Sequence, residues 1–239
     1  MDRLIYTALT ALRSSQAAQG VTANNLANAN TLGFRRELAN VATRWLGDDA
    51  PAGSGRAQAD EIVRTAVADG GLLTPTGSAT DIAVDGRGWI AVRTADGAEA
   101  YTRRGDLRVA AGGILETGEG DAVLGDDGPL TVPSGVALSI AVDGSITAGG
   151  IAAGRIKLVD AAPGVLAKRA DGRFAAAAPL DADRQVKLRS GTLEGSNVGT
   201  AATLVELLEQ SRSFEGVTRL LRVTREIDEG GARLMRLEN

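Results

Sequence analysis

Few side chains in this 239-residue chain could do chemistry, because it contains no cysteine and no histidine. It therefore lacks thiol and imidazole groups as nucleophiles, general bases or metal ligands, which excludes Ser-His-Asp and Cys-His catalysis. The remaining candidates are carboxylates and arginines, namely Asp81 with Asp85, the group Asp121, Asp126 and Asp127, and the doublet Arg103-Arg104.

The acidic candidates have a simpler structural interpretation. Asp81 and Asp85 could supply the carboxylate pair of a glycosidase. Each lies at a strand edge, however, so a structural role in the turns between strands is favoured. The run Asp126-Asp127-Gly128 lacks the ligand spacing and the closing glutamate of a calcium loop, which favours turn chemistry.

The arginine candidates are equally weak. Gly86-Arg87-Gly88 opens no helix and lacks the Lys-Ser/Thr ending of a phosphate-binding loop. Arg103-Arg104 is expected to be solvated or to contact a neighbouring subunit. We therefore predict that the protein is not an enzyme, with no catalytic, cofactor-binding or metal-binding residues.

Composition narrows the possible partners. Lys and Arg number 26 against 30 Asp and Glu, a net charge of -4, and aromatic residues make up only 3%. A mildly acidic chain with few stacking groups argues against nucleic acid. No apolar run approaches the roughly 18 residues of a membrane span, and the start does not read as a cleaved secretory signal.

Both ends of the chain show helical periodicity. Residues 2 to about 30 are predicted to form a helix, because residues spaced by three and four positions share one face. The residues on that face are Ile5, Ala8, Leu12, Ser15, Gln19, Thr22 and Leu26. A second helix is predicted from 198 to 236, with Ser196 or Asn197 as its N-cap and Gly216 and Gly230-Gly231 as weak points. Such a helix would be about 58 Å long and needs a partner along its length.

The middle of the chain is predicted to be mostly extended. Residues 31–46 are expected to form a shorter helical piece, residues 47–55 a loop, and residues 60–73 an extended segment. From Asp81 onward, short strands alternate with glycine-rich turns, and Asp96-Gly97 is a strong hairpin signal. The pattern, which includes predicted strands at 130–132 and 155–159, indicates a compact all-β domain, sandwich- or barrel-like.

Several runs, read without gaps, resemble the flagellar rod and hook family. The run from Ala23 to Arg35 resembles its N-terminal signature A-N-N-L-A-N-x-x-T-x-G-F-[KR], with four asparagines in seven residues. The other runs similar to family segments are Asp81 to Trp89, Tyr101 to Gly105, Gly154 to Val159 and Gly191 to Val198. Where the family more often has asparagine, this chain has Arg104.

The resemblance implies an α+β fold in which N- and C-terminal helices form a coiled-coil-like axial domain and a central all-β domain is inserted between them. The expected boundaries are an N-terminal helical segment at 1–46, a linker and extended segment at 47–80, the β domain at 81–190, and the C-terminal helix at 191–239. The C-terminal helix is expected to pair with the N-terminal one.

The implied function is that of a structural subunit of the proximal basal-body rod, which passes torque through the periplasm toward the hook. The implied partners are copies of itself and other rod proteins, the distal rod protein in particular, with export by the flagellar type III apparatus and no membrane insertion. The alternatives are a distal rod or hook-type protein of the same family and, in another class, a secreted β-rich adhesion or binding module with coiled-coil ends.

We expect the assembly interface to lie on the asparagine motif and one face of the C-terminal helix. The asparagine amides are expected to serve that helix and adjacent subunits rather than the core of the monomer. The predicted interface residues are Asn24, Asn25, Leu26, Asn28, Thr31, Gly33, Phe34, Leu204, Leu208, Phe214, Leu221 and Ile227.

Overall fold

The computed structural model describes residues 2–46, 56–67, 69–162 and 164–237. The chain divides into two compact units. The helical unit comprises Met1–Ala27, Glu37–Arg64 and Gly199–Asn239, and the β unit comprises Asn28–Arg36 and Thr65–Val198.

Two long helices dominate the helical unit, and they pack against each other as predicted. Helix α1 spans Asp2–Ala27 and helix α2 spans Thr200–Leu237. The Gln19 Nε2 donates to the Gln210 carbonyl oxygen at 3.1 Å, and the Gln210 Nε2 donates to the Thr22 Oγ1 at 3.0 Å. These bonds confirm that the Gln19 and Thr22 face of α1 is the one turned toward α2.

The N-cap predicted for α2 is wrong. The helix begins at Thr200, and the Thr203 amide donates to the Gly199 carbonyl at 2.9 Å, so neither Ser196 nor Asn197 is the N-cap. The helix continues through Gly216 and Gly230-Gly231, and their role as weak points stays a prediction.

The expected helical piece at 31–46 is also wrong. Helix α1 already ends at Ala27, Gly33 has a φ of +66°, and strand β1 occupies Glu37–Leu46. Val41, Thr43 and Trp45 alternate at period two, and β-branched and aromatic residues favour strands. Strand β2, Arg56–Ala66, pairs with β1, which confirms the extended prediction as far as Ala66; the predicted loop at 47–55 lies outside the described residues.

The β unit holds the short strands β3 to β18. Their bounds are β3 Leu73–Pro75, β4 Ile82–Asp85, β5 Trp89–Arg93, β6 Glu99–Thr102, β7 Leu107–Val109, β8 Leu115–Thr117, β9 Ala122–Gly125, β10 Gly128–Pro129, β11 Leu138–Ile140, β12 Ser145–Ala148, β13 Ile151–Arg155, β14 Leu158–Val159, β15 Ala167–Lys168, β16 Phe174–Ala175, β17 Lys187–Ser190 and β18 Thr192–Glu194.

Antiparallel pairing organises these strands. The largest sheet runs β15-β16-β6-β5-β9-β8-β7, with β10 on β9 and β14 on β5, while β11-β12-β13 form a meander and β17-β4 and β18-β3 form separate pairs. The hairpin predicted at Asp96-Gly97 is confirmed: Arg93 pairs with Glu99, and Gly97 has a φ of +82°. The strand predicted at 130–132 is reduced to one bridge at Thr131, and the strand predicted at 155–159 is split between β13 and β14.

Alternating apolar residues form the core of the β unit. Ile82, Ile90, Val92, Leu115 and Val123 are almost fully buried in its main cluster. Burial of this kind stabilises at about 25 cal/mol per Å² of apolar surface. A smaller cluster consists of Ala91, Tyr101, Leu124, Val159 and Phe174. Terminal helices around a β-rich middle confirm the predicted α+β class.

Candidate functional site

A buried ion cluster lies where three distant stretches of the β unit meet. The Arg35 Nη1 is 2.6 Å from the Glu194 Oε1, and the Arg103 Nη1 is 3.3 Å from the Glu194 Oε2. The side chains of Arg35, Arg103 and Glu194 are only 1%, 4% and 2% exposed. Two guanidinium groups therefore share one carboxylate, which leaves one positive charge in excess among the three.

Several neighbours complete this cluster. The Gly71 amide donates to the Glu194 Oε1 at 2.9 Å. The guanidinium carbons of Arg103 and Arg35 lie 5.3 and 6.0 Å from the Trp89 ring centroid, within the range of cation–π attraction. Trp89 is fixed in turn by Phe174, with 4.4 Å between ring centroids.

Burial sets the electrostatics of the cluster. Desolvation, together with the neighbouring charge of Arg35, lowers the pKa of Arg103 to about 10, although Glu194 opposes the shift. Arg103 is still charged at neutral pH. Leaving a buried charge without its partner typically costs about 3–5 kcal/mol, so Glu194 is the residue on which the cluster depends.

The expectation that Arg103 is solvated or contacts another subunit is wrong. Its Nη2 donates to the Gly86 carbonyl at 2.7 Å and its Nη1 to the Val84 carbonyl at 3.3 Å, both inside the β unit. The neighbouring Arg104 is half-buried and binds Asp106, with 2.7 Å between Nε and Oδ1. Arg103 therefore serves the monomer itself, and a contact of Arg104 with a neighbouring subunit stays a prediction.

Each side chain of this cluster comes from a different family-like run. Arg35, Arg103 and Glu194 are not among the predicted site residues, although each lies in a run that resembles a family segment. Their place in these runs is the sequence feature by which they could have been identified. The contributing runs are Ala23 to Arg35, Asp81 to Trp89, Tyr101 to Gly105 and Gly191 to Val198.

The 28–36 segment is tightly bound to the rest of the β unit. The Gly33 amide donates to the Glu194 carbonyl at 2.8 Å, and the Asn197 Oδ1 accepts from the Arg36 amide at 2.6 Å. The Lys168 Nζ lies 3.5 Å from the Phe34 ring centroid. A Cβ at Gly33 would come within 2.4 Å of the Arg103 carbonyl carbon, so only glycine fits there.

The role expected for Asn25 needs correction. Its side chain is 2% exposed and bonds the Glu37 backbone twice, at 2.8 Å each, accepting from the amide and donating to the carbonyl. Both atoms lie in the helical unit, so this amide joins α1 to β1 rather than facing a neighbouring subunit. Asn28 accepts from the Thr31 Oγ1 at 3.0 Å and so closes a turn within the chain.

The other predicted interface residues differ in exposure. Leu26, Phe214 and Leu221 are half-buried, whereas Asn24, Leu204 and Leu208 are exposed. Gly33 and Phe34 are buried and Thr31 is half-buried in the β unit. Ile227 lies in α2, and its side chain is outside the described residues. No observation tests an assembly role for these residues, so that role stays a prediction.

The carboxylates considered for catalysis or calcium binding either form ion pairs or lie in an exposed turn. Asp85 pairs with Arg189 at 3.0 Å on the surface, and the buried Asp121 pairs with Arg173. Asp126 and Asp127 are exposed in the turn between β9 and β10. Hydrogen bonds from Thr94 and Arg169 hold the pKa of the Asp96 carboxyl well below its usual range, as expected for a hairpin turn.

Comparison with known proteins agrees with the resemblance of the separate runs. Residues 5–35 match the family described as flagella basal body rod protein, residues 83–148 the flagellar hook protein FlgE/F/G D1 domain, and residues 189–234 the flagellar basal body rod FlgEFG protein C-terminal family. Together these regions include the Arg35, Arg103 and Glu194 positions.

Full-length relatives give the same assignment. The chain is 36% identical to the flagellar basal-body rod protein FlgF of Salmonella typhimurium, covering 99% of this chain and 98% of the relative. It is 33% identical to FlgF of Caulobacter vibrioides over 95% of each chain, and 27% identical to FlgG of Bacillus subtilis over 95% and 97%.

The chain belongs to the flagellar basal-body rod protein family, and it is a structural protein of the rod. Among the three relatives named, the two FlgF proteins have the higher identities. In the described part of the chain, no helix has both the length and the apolar character needed to cross a membrane.

Proposed function

We propose that the protein is an axial subunit of the proximal rod. It assembles with copies of itself and with other rod proteins, the distal rod protein in particular, and transmits torque through the periplasm toward the hook. It reaches the rod through the flagellar type III export apparatus. Membership of the rod family and the higher identities to FlgF support this position.

The observation that carries the proposal is the exposed apolar group at the start of α2. Leu204, Val205 and Leu208 are 45%, 54% and 59% exposed. They lie on the first turns of the helix and point away from the face that packs on α1, where Phe214 and Leu221 are half-buried. Covering such side chains gains about 25 cal/mol per Å², which favours a helix of a second subunit as the occupant.

The shape of the helical unit suits a torque-bearing shaft. At 38 residues, α2 is about 57 Å long. Its backbone hydrogen bonds run along a single axis, and small residues on the exposed side of α1, such as Gly20 and Ala23, allow another helix to approach closely. Many such modest contacts, repeated along an assembly, sum to a stiff structure.

The test is a pair of matched double variants on α2. Leu204→Glu/Leu208→Glu should leave the circular dichroism of the purified monomer unchanged, yet the variant should be absent from isolated basal bodies and fail to restore motility to a deletion strain. Ala202→Glu/Ser213→Glu adds the same charge at exposed positions of the same helix without removing a large apolar side chain, and it should be incorporated.

Two results would count against the proposal. Normal incorporation of Leu204→Glu/Leu208→Glu would show that the exposed apolar group is not an assembly contact. A deletion strain that still built an intact rod and hook would show that the protein is not a rod subunit, and would favour a secreted binding module.

A further inference from the structure

Arg103 is held in place by its own neighbourhood in the β unit. Its guanidinium donates to the carbonyl oxygens of Val84 and Gly86, which belong to β4 and the turn after it. Trp89, at the start of β5, lies against the same guanidinium. None of these three contacts involves the 28–36 or the 191–198 segment, and only the contact of the Arg103 Nη1 with Glu194 reaches the latter. The β4–β5 region therefore supplies most of the contacts that position the Arg103 guanidinium.

Arg35 reaches the same place from the 28–36 segment. Its Nε and Nη2 atoms are buried and have no hydrogen-bond partner among the described residues. Its one ion-pair contact in the described chain is the Glu194 carboxylate. Bringing Arg35 beside Arg103 without that carboxylate would bury two like charges together, which is strongly unfavourable.

Glu194 also belongs to the surface on which the 28–36 segment lies. Its carbonyl accepts from the Gly33 amide, the Asn197 amide donates to the Phe34 carbonyl at 3.3 Å, and the Asn197 side chain accepts from the Arg36 amide. Glu194 itself is placed by β18, where it pairs with Leu73. The 191–198 segment therefore supplies both the surface that binds the 28–36 segment and the negative charge that compensates the two arginines.

We propose that Glu194 gates the docking of the 28–36 segment: the two arginines can be buried together only when the 191–198 segment is already in place. The β unit is then completed in a fixed order. A chain synthesised from its N-terminus keeps Arg35 solvated until residue 194, almost 160 residues later, has paired as part of β18. The proposal rests on the geometry of the β unit alone and not on the proposed assembly.

Amide hydrogen exchange of the full-length protein, followed by mass spectrometry on peptides covering residues 30–37, tests this gate. Glu194→Gln keeps the shape of the side chain but removes its charge. We expect exchange at Gly33 and Arg36 to become at least about tenfold faster, while peptides of β5 and β6 stay unchanged. Glu119→Gln removes an exposed carboxylate that pairs with Arg104, and this control should exchange like the wild type.

A second variant separates charge gating from simple loss of contacts. Arg35→Met/Glu194→Gln removes the like-charge conflict together with the carboxylate, so gating predicts slower exchange in the 30–37 peptides than in Glu194→Gln alone. Loss of contacts predicts that the double variant exchanges at least as fast as the single one, and that result would overturn the proposal.

The same pair of variants covers a failure to fold. If Glu194→Gln does not accumulate as folded protein, gating requires that Arg35→Met/Glu194→Gln does. Failure of both variants, or wild-type exchange in Glu194→Gln, would overturn the proposal.

Discussion

Replacing Asn25 with leucine should destabilise the helical unit by about 2 kcal/mol. The change keeps the size of the side chain but removes both of its hydrogen bonds to the Glu37 backbone. A typical intramolecular hydrogen bond contributes about 0.5–1.5 kcal/mol to stability. The loss of two such bonds gives the expected value.

Urea unfolding followed by circular dichroism at 222 nm measures this loss, because α1 and α2 supply most of the helical signal. Gln16→Ala is the matched control, since it removes an amide from an exposed position of the same helix and should change the free energy of unfolding by less than about 0.5 kcal/mol. If Asn25→Leu were as stable as the control, the reasoning that the Asn25 amide joins α1 to β1 would be refuted.

Two further predictions concern the β unit. Gly33→Ala should lower the free energy of unfolding of this unit by about 3 kcal/mol, because a positive φ adds about 1–2 kcal/mol of strain and the new Cβ meets the Arg103 backbone. The control Gly97→Ala has a similar φ but open space around it, so its stability should fall by the strain energy alone. Equal losses of stability for the two variants, measured by urea titration followed by tryptophan fluorescence, would contradict the clash. Burial raises the pKa of Tyr101 to about 12. The stability that the neutral phenol contributes is therefore fully present below the pKa of about 10 that tyrosine has in the unfolded chain, and it is lost as the pH rises toward 12. The stability difference between wild type and Tyr101→Phe should therefore narrow between pH 9 and pH 12, and a constant difference would show that the phenol does not titrate as inferred.

Local patterns in the sequence determined most of the secondary structure. The Asp96-Gly97 hairpin was predictable because a tight turn needs a residue that accepts a positive φ, and Gly97 has one. The faces of the two long helices were predictable because three- and four-residue spacing places Gln19 and Thr22 on one side. The error at 37–46 arose because Leu38, Val41 and Trp45 also fit a helical period, and only pairing with β2 decides for a strand.

The runs that resemble family segments also determined the class of the protein. Such runs can be recognised from residue types and spacing alone, without knowledge of the contacts that their residues make in the fold. Tertiary structure alone decided which charged residues are buried. The residues near Arg103 in the sequence do not show that it is more buried than Arg104, since the carboxylate that permits its burial lies 91 residues away. The desolvation cost of a charge depends on what surrounds it in space, and folding brings Arg35, Arg103 and Glu194 together from three distant stretches of the chain.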